Sequence, residues 1–459
     1  MTMISYKRIF TRCAYGTLPS YKNQIMAKIV NPNAAGIDIA ANIHYVAVPE
    51  GRSKTPVKSF KGFTRDLHSL AKWLQSCKIE TVAMESTGMY WYHLYTILLD
   101  YGIDVCLVNA RHVKNVPGRK TDVIDAQWLQ ELHTNGYLTP CFQPDNLTRE
   151  LRTYVRLRKQ IVRDMARETQ HMQKAMISMN IKLHDVISDI TGQTGIAIIT
   201  AILSGERNPK TLASLRHSRI KANEKTIIKS LEGNWRAEGI FCLDIAYKRY
   251  KELEQHLRNV DKESERVLSL LSDVQKEKKE IKSSEARNKQ PEFNVAQHLY
   301  NAYGVDVTRI YGFKQTSALT VFSETGTDIK NKFPTSKQFL SWLNLVPDNK
   351  ISGGKILSSK VKKKKNIAGQ AFREAANTLW RANNPFGDYL RSKKAKSGSG
   401  QAIVATAKKM ATVFYKMVTD GVEFDPYIVE GSRKNYLERR ALQYEKGLEL
   451  INNQLAVYV

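Results

Sequence analysis

Residues 35–48 read AGIDIAANIHYVAV, apolar and β-branched residues on either side of a polar break near Asn42, a pattern that predicts two strands joined by a tight turn. Strand-like runs recur at 81–85 (TVAME) and 104–109 (DVCLVN). Around them the spacing becomes helical, at Thr64 to Ser76, Met89 to Tyr101 and Thr121 to Asn135, with Thr121 placed to cap its helix. Paired strands followed by strands alternating with helices predict an α/β domain on one sheet. Asp38 breaks the apolar run of the first strand. A carboxylate inside a buried strand costs several kcal/mol unless it is paired or metal-bound.

From about Arg149 long helices rich in Arg, Lys, Glu and Gln take over. Leu243, Ala246, Tyr250, Leu253, Leu257, Val260, Ser264, Val267, Leu271 and Val274 alternate in steps of three and four, the mark of a coiled-coil seam. An earlier helix, Leu151 to Met179, carries a less regular apolar stripe able to pack antiparallel to it, and 181–236 reads as short helices. Residues 275–291 are highly charged and end at Pro291, which predicts a linker. The expected division is an extension at 1–32, an α/β domain at 33–148, a coiled-coil region at 149–291, a mainly helical domain at 292–430 and a helical tail at 431–459.

The 459 residues carry 71 Lys and Arg against 44 Asp and Glu, a formal charge of +27, and 42% are hydrophobic. That apolar share excludes a disordered chain, and no run approaches the 18 apolar residues of a membrane span. A basic excess of this size points to nucleic acid. The cysteines, Cys13, Cys77, Cys106, Cys141 and Cys242, form no C-x-x-C pair, so a reducing cytosol fits better than a disulfide framework or a zinc ribbon. The first 37 residues hold no Asp or Glu and no continuous apolar core of a secretory signal; they read as an extension, with Met26 as an alternative start.

Three elements offer four carboxylates: Asp38 in the first strand, Glu85 ending TVAME, and Asp122 and Asp125 three apart at a helix start. Acids in first helical turns commonly complement the helix dipole, so each of the last three has a structural reading of its own. Together they are hard oxygen ligands of the kind Mg²⁺ prefers, and two such ions stabilise the attacking and leaving oxygens of a phosphoryl transfer. Near the other end, ISGGKILSSKVKKKKN places Ser352 before Gly353-Gly354 and Lys355, the composition of an exposed nucleophile or of any flexible loop. Lys355, Lys360, Lys362, Lys363, Lys364 and Lys365, together with Arg119, Lys120, Arg152, Arg156, Lys159 and Arg163, are candidate phosphate contacts. Tyr90, Trp91 and Tyr92 suit base stacking but more often pack a helix on a sheet. His44, His93 and His112 have no ligand spacing, which argues against zinc.

GIDIA around Asp38, AMESTGMYWYHLY around Glu85, VNARHVKNVPGRKTDVIDAQWLQEL, KLHDVISDITGQTGIAIITAILSGERNP and FLSWLNLVPDNKISGGK together resemble the IS-one-ten group of bacterial insertion-sequence transposases, related to the Piv DNA invertase. The resemblance implies a RuvC-like, RNase H-fold domain with an Asp-Glu-Asp-Asp tetrad at Asp38, Glu85, Asp122 and Asp125, then a coiled coil, then a transposase domain. It implies Ser352 as the catalytic nucleophile that forms a phosphoserine intermediate with DNA. The expected partners are donor and target DNA, a structured bridge RNA encoded by the element, and further copies of the chain in a dimer or tetramer. The expected place of action is the bacterial cytoplasm, at the nucleoid. Two rivals stand beside this reading: a Holliday-junction-type nuclease that activates water with the tetrad, and a non-enzymatic basic protein that bridges DNA.

Overall fold

The computed structural model describes residues 29–86, 88–108, 121–272, 279–281, 289–362 and 366–456. They belong to two compact units divided between Gln143 and Pro144.

The first unit is built on a five-stranded sheet: β1 (Ala34–Ile39), β2 (Ile43–Ala47), β3 (Val57–Lys61), β4 (Thr81–Glu85) and β5 (Asp104–Val108), in the order β3-β2-β1-β4-β5. β2 runs antiparallel to β1 and β3, while β4 is parallel to both β1 and β5. Alternation along β1 sends its residues to two different layers. Ala35, Ile37 and Ile39 join the core formed with α1 (Thr64–Ser76) and α2 (Trp91–Asp100), where Leu70, Leu74, Leu94 and Leu98 are fully buried. Gly36 faces α3 (Asp122–Thr134) on the other side of the sheet. Thr121 caps α3, its hydroxyl accepting from the Ile124 amide at 3.3 Å. Strand β3 is an element that the reading of the sequence did not foresee. VKSFK has one large apolar contact, Phe60 against Trp73 at 5.6 Å, and its lysines belong to an edge strand, where charge deters pairing with another chain.

The second unit opens with α4 (Asn146–Ser178), continues through short helices at Leu183–Val186, Gln193–Leu203, Pro209–Ser214 and Glu224–Ser230, and returns through α5 (Ala237–Leu271). The two long helices run antiparallel: Glu150 meets Arg266, Arg158 meets Asp261, and Gly239 lies against Met179. Leu243, Ala246, Tyr250, Leu257, Val260, Ser264 and Val267 are buried in this packing, so the seam finds its partner stripe on α4 of the same chain. Val274 lies outside the described residues. Within the packing, Arg158 Nε donates to Asp261 Oδ1 at 2.6 Å, and a second guanidinium nitrogen donates to the Lys289 carbonyl at 3.0 Å. Burial holds the Asp261 carboxyl above its ordinary value, and the Arg158 guanidinium offsets only part of that rise.

Within the charged stretch 275–291 the described points are anchored. Ile281 and Pro291 are buried, and the Ile281 amide donates to Gln297 Oε1 at 2.7 Å. Beyond them α6 (Gln315–Thr325), α7 (Ile367–Asn377) and α8 (Ser399–Asp420) enclose an aromatic core in which Phe313 stacks on Phe372 at 4.8 Å and both meet Phe414. A hairpin, β6 (Lys350–Ser352) and β7 (Lys355–Ser358), rises between α6 and α7 in the chain, and α9 (Pro426–Leu455) ends the described region. Among the described residues no helix is long and apolar enough to cross a membrane.

Candidate functional site

The first candidate centre follows from the strand pattern. In the register of β1 and β4, Ile37 is opposite Met84, so the next residues, Asp38 and Glu85, stand side by side at the ends of parallel strands and face the layer of α3. A Cβ on Gly36 would lie 2.3 Å from both the Ala126 carbonyl oxygen and the Gln130 amide nitrogen, so only glycine lets the helix lie so close to the strand. With Ala126 pinned over Gly36, the preceding turn of α3 carries Asp122 and Asp125 toward Asp38, two residues further along the strand. The signal for this approach was present in Gly-Ile-Asp, where the glycine shares a face with the acid.

The electrostatics agree with the placement. Asp38 is half-buried, and its carboxyl is pushed up to about 6, first by burial and then by the charges of Asp122, Asp125 and Glu85, against one backbone amide bond. Glu85 and Asp125 are half-buried and Asp122 is exposed. Among the described residues no three His, Cys, Asp or Glu side chains are drawn together tightly enough to clasp a metal ion. Like charges keep one another apart, and a divalent cation would supply the attraction that gathers such acids. The donor set, four carboxylates of which the half-buried Asp38 is made reluctant to ionise by its burial and by the other three, suits a hard cation.

Ser352 lies in the second unit, exposed, at the end of β6 and opposite Lys355 in the register. Gly353 and Gly354 have φ of +53° and +76°, the left-handed pair that a two-residue hairpin turn of type I′ requires. The turn therefore accounts for both glycines; a Cβ on either would meet nothing within 4 Å. The hairpin presents the hydroxyl together with exposed Ile351, Ile356 and Leu357. Its neck is closed by a bridge between Pro347 and Val361 and by the Asp348 amide donating to the Lys360 carbonyl at 2.9 Å.

The basic candidates divide. Arg152 donates to the Ser323 and Glu324 carbonyls at 3.3 and 2.8 Å and pairs with the Glu324 carboxylate at 3.2 Å, so it docks α4 on the C-terminal end of α6 rather than offering its charge outward. Arg156 holds the same carboxylate through two bonds yet stays half-exposed, and Lys159 stands 3.5 Å from Glu374. Arg163, Lys355, Lys360 and Lys362 are exposed. Arg119, Lys120, Lys363, Lys364 and Lys365, with His112, lie outside the described residues. Of the aromatic trio, Trp91 packs on the sheet core and donates to the Gly88 carbonyl at 3.1 Å, while Tyr90 is exposed.

Comparison with known families gives two matches. Residues 35–181, which hold all four acids, match the DEDD transposase model of the IS110 type, described as Transposase. Residues 306–391, which hold the hairpin, match the Transposase IS116/IS110/IS902 family. A comparison with curated proteins finds no match. DEDD transposases generally depend on divalent metal ions. With the acid-bearing sheet and the serine hairpin each inside a matched segment, the chain belongs to the IS110 family of transposases and is a DNA transposase.

Proposed function

We propose that this transposase cuts and rejoins DNA through Ser352, with Mg²⁺ held by Asp38, Glu85, Asp122 and Asp125, on strands selected by a structured RNA of the element. The sheet order β3-β2-β1-β4-β5, with β2 alone reversed, supports an RNase H-like reading of the first unit. The single observation that carries the metal assignment is the convergence on Asp38: three other acids, from β4 and α3, act on a carboxyl already half-buried. Two ions there, when bound, would stabilise charge on the phosphoryl oxygens.

In the proposed reaction Ser352 Oγ attacks phosphorus. A P–O bond to one DNA oxygen breaks as the P–Oγ bond forms, and that oxygen leaves as a hydroxyl carrying a proton. A hydroxyl from the second strand then attacks the phosphoserine, the P–Oγ bond breaks, and the serine is regenerated. No net oxidation or hydrolysis occurs. The hairpin serves this by holding the hydroxyl at an exposed, conformationally defined end of a strand. Arg156, Lys159, Arg163, Lys355, Lys360 and Lys362 supply phosphate contacts, and cutting two sites calls for at least two copies of the chain.

End-labelled DNA on denaturing gels tests the serine. The wild type should give a protein–DNA adduct, and Ser352→Ala should abolish cleavage and adduct together while binding stays within about twofold, since one hydroxyl adds little to a charge-dominated interface. Ser358→Ala and Ser359→Ala are the controls from the same loop. Cleavage without any adduct would move the reading to a nuclease that activates water.

A further inference from the structure

Between α4, α6 and α7 the second unit forms an open cavity of about 630 Å³ that lies outside the serine and the acids. Its volume is that of a small-molecule site, but its walls are cationic: Arg156, Lys159, Arg163, Lys362 and Arg373 outnumber Glu324 and Glu374. Arg156 and Lys159 already face those two acids. Among the described residues Lys362 has one loose ion-pair partner, Asp348 at 3.8 Å, and Arg163 has none.

Arg373 is the unusual member. It donates one Nη to the Asn344 carbonyl at 2.6 Å, while its Nε is buried with no hydrogen-bond partner among the described residues. Among the described residues no carboxylate forms an ion pair with it, and burial lowers its proton affinity. A guanidinium stays charged in a protein, so a partly buried one without a counter-charge is costly, and an anion with two acceptor oxygens relieves that cost by the fork geometry that arginine favours. Asn344, at φ +55°, lies in the segment that leads from the helix Ser336–Trp342 into β6. Arg373 thus joins the cavity wall to the root of the serine hairpin.

We propose that this cavity binds a backbone phosphate of the DNA strand presented to Ser352, with Arg373 and Arg163 as its ligands and Lys362 at its rim. The proposal deepens the reading of the chain as a serine-dependent DNA transposase and assigns the residues that would seat the strand. Arg163 is already among the phosphate contacts named from the sequence; Arg373 is not, because it stands alone in an alanine-rich helix.

The test is equilibrium binding of a fluorescent single-stranded oligodeoxynucleotide, and of the oligoribonucleotide of the same sequence, over a salt series. Arg373→Gln and Arg163→Gln should each weaken DNA binding about tenfold and flatten the slope of log affinity against log salt by about 0.7, the value for one phosphate contact on a single strand. If Arg373→Gln lowers the melting temperature without moving the slope, Arg373 is structural and the proposal fails. Arg163→Gln, an exposed position, decides the matter should Arg373→Gln not fold: an unchanged slope overturns the site. A slope that changes for RNA alone also overturns it, because it assigns the cavity to RNA. Adduct formation, read on the same proteins, keeps the two readings apart. An adduct with unaltered slopes sinks only the cavity, and altered slopes without a wild-type adduct sink only the serine.

Discussion

Asp38 shows how one residue links fold and chemistry. Its carboxyl titrates near 6 in the folded chain against an ordinary 3.8, so between those values the folded state holds the proton more tightly than the unfolded one. The contribution to stability is thus complete below pH 3.8 and is lost as the pH rises through about 6. Asp38→Asn removes the repulsion with Glu85, Asp122 and Asp125. In the absence of divalent ions it should melt a few degrees above the wild type at pH 8 and level with it near pH 3, as measured by calorimetry. Adding Mg²⁺ at pH 8 should raise the wild-type melting temperature and leave the variant unmoved. Strand exchange should fall by about 10² or more, the scale of losing one preorganised charge stabiliser. A variant no more stable than the wild type at pH 8, or one stabilised equally by Mg²⁺, would remove Asp38 from the proposed metal site.

At the scale of the element, the α4–α5 pair concentrates the lesson about charge. Arg158 and Asp261 are 7% and 2% exposed, in a packing that is mainly apolar. Removing one partner leaves an uncompensated charge, and Asp261→Leu should destabilise the unit by about 3–5 kcal/mol. Replacing both, as Arg158→Met with Asp261→Leu, should recover most of that loss, because the desolvation of both charges disappears with them. Urea denaturation of the two single variants and the double variant reads the coupling; additive losses would mean that the pair is not the unit drawn here. The same packing shows why the heptads of α5 do not have to serve assembly. Aspartates at Tyr250, Leu257 and Val260 would strike an interface internal to the chain, so their first effect is on folding.

For the whole molecule the governing quantity is the charge of +27. Each exposed lysine that touches a phosphate releases a counterion, whatever the sequence of the nucleic acid. Lys355→Gln, Lys360→Gln and Lys362→Gln combined should therefore weaken binding to unrelated duplexes alike and flatten the salt slope by up to about 0.9 per lost contact. Filter binding on two unrelated duplexes at four salt concentrations checks this. An unchanged slope would make the lysines in and after the hairpin a solvated surface.

What the amino-acid order determined by itself was whatever depends on near neighbours. Thr64–Ser76, Thr81–Glu85 and the Thr121 cap were legible because period and capping act within a few residues, whereas the segment around Gly353-Gly354 read as a loop and is a hairpin. The four acids could be nominated from their elements, but only the tertiary structure brought Asp122 and Asp125 to bear on Asp38, through the contact of α3 with Gly36. Strand β3 escaped notice because an edge strand buries one side only and VKSFK has little apolar pattern to show. The fate of Arg152 and Arg158 was decided by partners 172 and 103 residues away, and that of the heptad seam by α4, on the far side of the short helices. Spacing along a chain states which face of a helix is apolar and which residues carry charge. It does not state which surface arrives to cover them, because that choice is made by packing among elements far apart in sequence.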